Sequence, residues 1–535
     1  MTPAIEPATL RAWLGDGAEI ALIDVRDGGP FSRSHLLLAS NVPLAQLEVR
    51  TTALLPRRDV RLVLVDAGDG SAERAGTKLA AHGYTGLHIL SGGVTGWGAA
   101  GYELFSGTNV PSKAFGELVE HAHETPRIEP QELRRWQEQG RNFVVVDARP
   151  LEEYRTVSIP GAADCPGAEL VLRVPGLMQS PDTTVVVNCA GRTRSIIGCQ
   201  SLRNAGLVNP VVALKNGTMG WELAGLPTAR GCDNMVTEPQ GPALEAARAL
   251  ARAVAARHQV SFLTAPQLDA MRAQADRTTY VFDVRLPDAY AAGHLPGSLN
   301  APGGQLIQAT DTFAPVRAAR IVLIDQHEVQ AVMTAHWLMQ MGWHDVHVLR
   351  DGLAGQLEVG PGLPGSLGED GLTVPLVDAP AVRALLDATS TRVIDVGESY
   401  WYRAGRVPGS CYAMRSRLSD ALNRFDKQTP LVFVCSDGRV SRHAAQDAIE
   451  YGWSNVRVLA GGRAAWRATG YPVERCTGDD DPLLLTVTED MWYPPYARKA
   501  GVQEAMLQYL TWEVNLLQQL EREPYLKFDL RIRAA

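Results

Sequence analysis

Four segments of this 535-residue chain repeat the same order of signals, and no other feature limits its possible folds so strongly. Each segment opens with a short amphipathic helix pattern (5–10, 128–133, 263–268 and 377–382), followed by an apolar strand closing on Asp24, Asp147, Asp283 or Asp395. A second apolar run comes about 42 residues later, at 62–65, 185–187, 321–324 and 431–434. A third strand then enters a turn of small residues: Gly92-Gly93, Asn216-Gly217, Asp351-Gly352 or Gly461-Gly462. The unit ends in a short helix with Trp97, Trp221 or Trp466 (Gln356 in copy three), closed by Gly101, Gly225, Gly360 or Gly470. Strand-length apolar runs alternating with helical patterns predict parallel βαβ architecture. The period is too long for a solenoid. The expected fold class is therefore α/β: four three-layer α/β/α domains with parallel sheets, plus a C-terminal helical tail.

The expected boundaries are 1–108 for copy one, 109–232 for copy two, 258–366 for copy three and 367–476 for copy four. Residues 233–257 read as a helical linker, because Leu244 to Val254 is Ala-rich. The Gly/Pro-rich stretch 360–368 reads as a hinge. Beyond 476 lies the tail, in which Val502 to Leu520 reads as an amphipathic helix that docks on another domain.

Composition removes several classes of function. A net charge of −8 disfavours nucleic acid, and no stretch approaches the roughly 18 apolar residues of a membrane span. The N-terminal residues show neither a basic nor an apolar signal region, so a cytoplasmic location is expected. The seven cysteines (Cys165, Cys189, Cys199, Cys232, Cys411, Cys435 and Cys476) form no C-x-x-C pair. They predict reduced thiols, no metal site and no cofactor.

The copies differ after the second apolar run. Copy two continues Cys189, Ala190, Gly191, Arg192, Thr193, Arg194, Ser195, and copy four Cys435, Ser436, Asp437, Gly438, Arg439, Val440, Ser441. Copies one and three carry Asp66 and Asp325 at the cysteine position. The cysteine thus lies at the carboxyl end of a parallel strand, on a tight loop feeding a helix, where open α/β sheets bind ligands. Backbone N–H groups of such a loop form an anion nest, and the helix N-terminus adds positive potential. Both effects are expected to lower the thiol pKa. A carboxylate in the same nest supplies no thiolate nucleophile, so copies one and three are expected to be inactive.

The Asp-x-Arg strand end, the Ile159-Pro160-Gly161-Ala162 turn, the Cys-x-x-x-x-Arg-Ser loop of copy two, and Gly217-x-x-x-Trp221-x-x-x-Gly225-x-Pro227 resemble the rhodanese family. The alternation of copies without and with cysteine is similar to two tandem rhodaneses joined end to end. The resemblance implies a thiosulfate sulfurtransferase. A cysteine persulfide would carry sulfane sulfur from thiosulfate or a related donor to cyanide or a thiol, with Cys189 and Cys435 catalytic and 190–195 and 436–441 binding substrate. Copy four departs from the pattern, with Gly397 in place of the strand arginine and Arg406 at a position that is His294 in copy three.

The remaining cysteines read as packing or incidental residues, and the strand-end aspartates, present in active and inactive copies alike, read as structural. A cysteine phosphatase would need Cys-x5-Arg, but the sixth residue after each cysteine is Ser195 or Ser441. A non-catalytic binding module leaves the two cysteine loops unexplained. Arg192 and Arg194 stand in loop two without an acid, whereas Asp437 offsets Arg439 in loop four. On that count Cys189 is expected to carry most thiosulfate-dependent activity.

Overall fold

In the computed structural model, which describes residues 2–388, 390–498 and 500–530, each copy contains a parallel five-stranded arrangement of one topology. In copy two, Arg127–Ile128, Val211–Leu214, Thr184–Asn188, Phe143–Asp147 and Ala163–Asp164 lie side by side in that order. Copy four repeats the order with Leu376–Val377, Val456–Leu459, Leu431–Val434, Arg392–Asp395 and Cys411–Tyr412. Copies one and three follow suit, with Leu62–Leu64 beside Leu87–Ile89 and Ile321–Leu323 beside Val346–Val348. The central strands are Val-, Ile- and Leu-rich and buried on both faces, as parallel strands covered by helices must be. The fold class is as expected.

Two compact units are present, and they do not follow chain order. One contains Ala21–Thr108 and Pro364–Tyr493, uniting copies one and four; the other contains Asn109–Leu363 and the chain from Pro494 on, uniting copies two and three. Each unit therefore combines one cysteine-bearing copy with one that lacks it. In the second unit the Ala-rich segment is the helix Gly241–His258, which buries Ala247, Ala251, Val254 and Ala255. In the tail, Leu483, Leu484 and Leu485 continue past Tyr412 as backbone partners of the copy-four edge strand, and the long helix spans Val502–Leu520, the range read from the sequence.

The small-residue turn has a steric cause. A Cβ on Gly217 would lie 2.4 Å from the carbonyl oxygen of Cys189, and one on Gly462 would lie 2.3 Å from that of Cys435. Both glycines also have positive φ, 54° and 58°. The turn thus packs on the cysteine's own peptide group, and the amides of Thr218 and Arg463 donate to the Cys189 and Cys435 carbonyls at 2.8 Å.

Candidate active sites

Cys189 and Cys435 directly follow the strands Thr184–Asn188 and Leu431–Val434, and both are buried. Their loops end in the helices Thr193–Ala205 and Arg439–Glu450. In each loop the thiol donates to the serine six residues on, Ser195 or Ser441, at 3.4 Å. Each serine in turn donates to a carbonyl of its own loop, that of Arg192 or Gly438.

Beyond that shared contact the loops differ. In copy four, Gly438 adopts φ 92° and its amide points at Cys435 Sγ from 3.2 Å, with the Ser441 amide at 3.5 Å. Two backbone donors thus converge on the sulfur, forming the nest that the loop spacing predicts. Ser436 and Asp437 are exposed at its mouth, and Cys435 Sγ also donates to Asp437 Oδ1 at 3.5 Å. In copy two no residue of the loop has positive φ, and the Gly191 carbonyl turns toward Gly217. The Cys189 loop is roofed by the helix Val502–Leu520: Met506, Tyr509 and Leu510 form one apolar cluster with Ala190 and Met219.

The charge count made from the sequence needs correction. Arg192 is not free but holds Glu117 with two bonds of 2.6 Å and also pairs with Glu120. Arg194 is bidentate on Glu153 at 2.7 and 2.8 Å. Glu513 approaches from the C-terminal helix, accepting from Thr193 at 3.3 Å and Lys113 at 3.4 Å. The carboxylates that neutralise both arginines come from elements remote in sequence. The expected drop in thiol pKa also fails, since desolvation pushes both Cys189 and Cys435 upward. Arg194 and Ser195 oppose the rise at Cys189, and Ser441 opposes it at Cys435.

The aspartates of copies one and three fill their own nests. Asp66 accepts from the amides of Gly68 (2.8 Å) and Ala72 (3.0 Å), and Asp325 from those of Val329 and Gln330 (both 2.9 Å). Burial pushes Asp325 up to about 6. The strand-end pairs are structural: Arg26, Arg149 and Arg285 chelate Asp24, Asp147 and Asp283 two residues earlier. All seven cysteines are unpaired, and burial pushes Cys199 up to about 12. No cluster of metal-ligating side chains occurs among the described residues, and no helix among them is long and apolar enough to cross a membrane.

The sequence matches the rhodanese-like domain family four times, over residues 6–100, 129–224, 264–357 and 378–469.

This chain belongs to the rhodanese-like domain family.

A crystal structure of thiosulfate sulfurtransferase from Pseudomonas aeruginosa is similar over almost the whole length, with TM-score 0.90 and 42% identity, covering 98% of this chain and 99% of that one. Thiosulfate sulfurtransferase GlpE of Pseudomonas paraeruginosa is 33% identical over 101 residues, 19% of this chain and 91% of GlpE. GlpE of Pseudomonas fluorescens is 34% identical over 89 residues, 17% of this chain and 81% of its own. Sequence reasoning missed Arg463 and Glu513 as neighbours of the rhodanese-like loops. Arg463 carried a signal, because it stands where the other copies have Val94, Thr218 and Leu353. Glu513 carried none, lying far along the chain in a helix with no counterpart among the repeats.

Proposed function

We propose that the chain is a thiosulfate sulfurtransferase working through cysteine persulfides, with Cys435 receiving sulfur from free donor. The observation that carries this reading is the Cys435 loop, where the amides of Gly438 and Ser441 converge on a sulfur whose neighbours Ser436 and Asp437 are exposed. Deprotonation of Cys435 places its proton on the Asp437 carboxylate or solvent. The thiolate attacks the outer sulfur of thiosulfate, forming one S–S bond as the donor's own S–S bond breaks and sulfite leaves with that electron pair. The persulfide anion then occupies the nest, stabilised by the two N–H donors. Cyanide or a thiolate removes the terminal sulfur, as thiocyanate or a new persulfide, and restores the Cys435 thiolate.

Residues 436–441 line this step, and 190–195 line the corresponding step at Cys189. Copies one and three act as packing partners, their nests being closed by Asp66 and Asp325. The reaction is assigned to the cytoplasm, where seven unpaired thiols stay reduced. Intact-mass analysis after thiosulfate treatment should show a +32 Da adduct that maps to Cys435, and Cys189→Ser/Cys435→Ser should lose both adduct and turnover. Near wild-type turnover in that double variant refutes the persulfide assignment.

A further inference from the structure

The loss of the strand arginine in copy four is compensated, and the compensation reaches the reactive loop. In copies one to three a single arginine does two things. Its Nη2 chelates the strand-end aspartate and also donates to the carbonyl ten residues after that aspartate: Ser34 at 2.7 Å, Val157 at 2.6 Å or Gly293 at 2.7 Å. Copy four has Gly397 at this position, and two arginines of its last helix share the work. Arg463 Nη1 donates to Asp395 Oδ2 at 2.7 Å, and Arg467 Nη2 donates to the Gly405 carbonyl at 3.0 Å. The Arg463 guanidinium fills the space a side chain at 397 would need, since a Cβ there would lie 3.0 Å from its Nη2.

This division leaves one arm of Arg463 available. Its Nη2 donates to Ser436 Oγ at 2.9 Å, the residue directly after Cys435. Arg463 is itself buried, and its bond to the exposed Ser436 is charge-assisted, stronger than one between neutral groups. A hydroxyl whose lone pair is held by a guanidinium is left with its O–H to give. Ser436 is exposed at the mouth of the loop, so that proton faces an arriving ligand. Asp437, beside it, would repel an anion. Copy two has no counterpart: Ala190 and Thr218 occupy the two positions.

We propose that Arg463 is a positioning residue that turns the Ser436 hydroxyl into a donor for the anionic end of the incoming sulfur donor. Arg463 thereby makes the Cys435 site selective for anionic over neutral donors. The inference deepens the reading of Cys435 as the donor-accepting cysteine and rests on it. It assigns Arg463 two separable roles, one toward Asp395 and one toward Ser436.

The experiment uses the full chain carrying Cys189→Ser, with Arg463→Met, Ser436→Ala, both together, and the transposed pair Gly397→Arg/Arg463→Thr. The transposed pair rebuilds the aspartate–arginine contact of copy two without the bond to Ser436. Losing one charge-assisted hydrogen bond should raise KM for thiosulfate about tenfold in Arg463→Met, with kcat changed less than about threefold. Ser436→Ala should match it, the combined variant should be no worse than either, and the transposed pair should keep the raised KM. A second readout needs no turnover: the rate of Cys435 alkylation by iodoacetate, an anion, relative to neutral iodoacetamide. Arg463→Met should lower that ratio, whereas a purely structural role would slow both reagents alike. An unchanged ratio, or a normal KM in the transposed pair, overturns the inference. A shifted ratio in a protein that gains no sulfur from thiosulfate upholds Arg463 and refutes the donor reading instead.

Discussion

Replacing one cysteine at a time separates the two loops, and the structure predicts that Cys435→Ser is the more damaging change toward thiosulfate. Charge does not separate them: the ion pairs that reach the Cys189 loop set four cations (Lys113, Arg127, Arg192, Arg194) against four carboxylates (Glu117, Glu120, Glu153, Glu513), and the Cys435 loop carries Arg439 and Arg463 beside Asp437 and Asp395. The difference is the Gly438 amide, which points at Cys435 Sγ from 3.2 Å, whereas no residue of the Cys189 loop has the positive φ that aims it. A hydrogen bond to a charged group is worth about 1.5–3 kcal/mol, roughly tenfold or more in kcat/KM. In steady-state assays of thiosulfate:cyanide transfer, Cys435→Ser should lose about tenfold or more in kcat/KM and Cys189→Ser less than about twofold. Moderate salt should leave the gap in place, because the donor is a backbone amide. A larger loss in Cys189→Ser would show that this amide does not govern donor choice.

The buried carboxyl of Asp164 has no hydrogen-bond partner, and burial together with Asp147 pushes its pKa up to about 7. A carboxyl with a raised folded pKa binds protons more tightly when folded. Stability should therefore fall as pH rises from about 4 through about 7 and level off above. Asn41 and Asn300 hold the same register in copies one and three and donate to two strand-end carbonyls each, so Asp164→Asn should raise Tm, more at pH 8 than at pH 5. Equal or lower Tm at pH 8 by calorimetry contradicts this account. Asp66→Cys or Asp325→Cys should yield little sulfurtransfer when added to the Cys189→Ser/Cys435→Ser background, because Asp69 and Glu328 remain in those loops to repel an anionic donor. Rates comparable to those of Cys435 would refute that electrostatic argument.

The repeat, the parallel strands and both cysteine loops were legible in the chain because they rest on local rules. Strand periodicity, a glycine forced by close approach to a carbonyl, and a cysteine at a strand end each leave a mark within a few residues. The Gly438 turn belongs with them, since its positive φ is what aims the amide at Cys435. The charge state of the loops was not legible. Arg192 and Arg194 stand in the sequence without a neighbouring acid, yet Glu117, Glu120 and Glu153 neutralise them from as far as 75 positions away along the chain. Coulomb energy depends on distance in space and on burial, neither of which a spacing pattern records. The same holds for the thiols, which the loop motif alone predicts to be acidic and which burial instead drives upward. The sequence by itself determined four rhodanese-like α/β copies and two loops able to present a sulfur. Tertiary structure alone decided that copy one packs with four and copy two with three, that a C-terminal helix roofs Cys189, and that Arg463 stands in for a missing strand arginine. Each of those outcomes is fixed by which surfaces meet when apolar faces are buried, and that choice is made between segments, not within them.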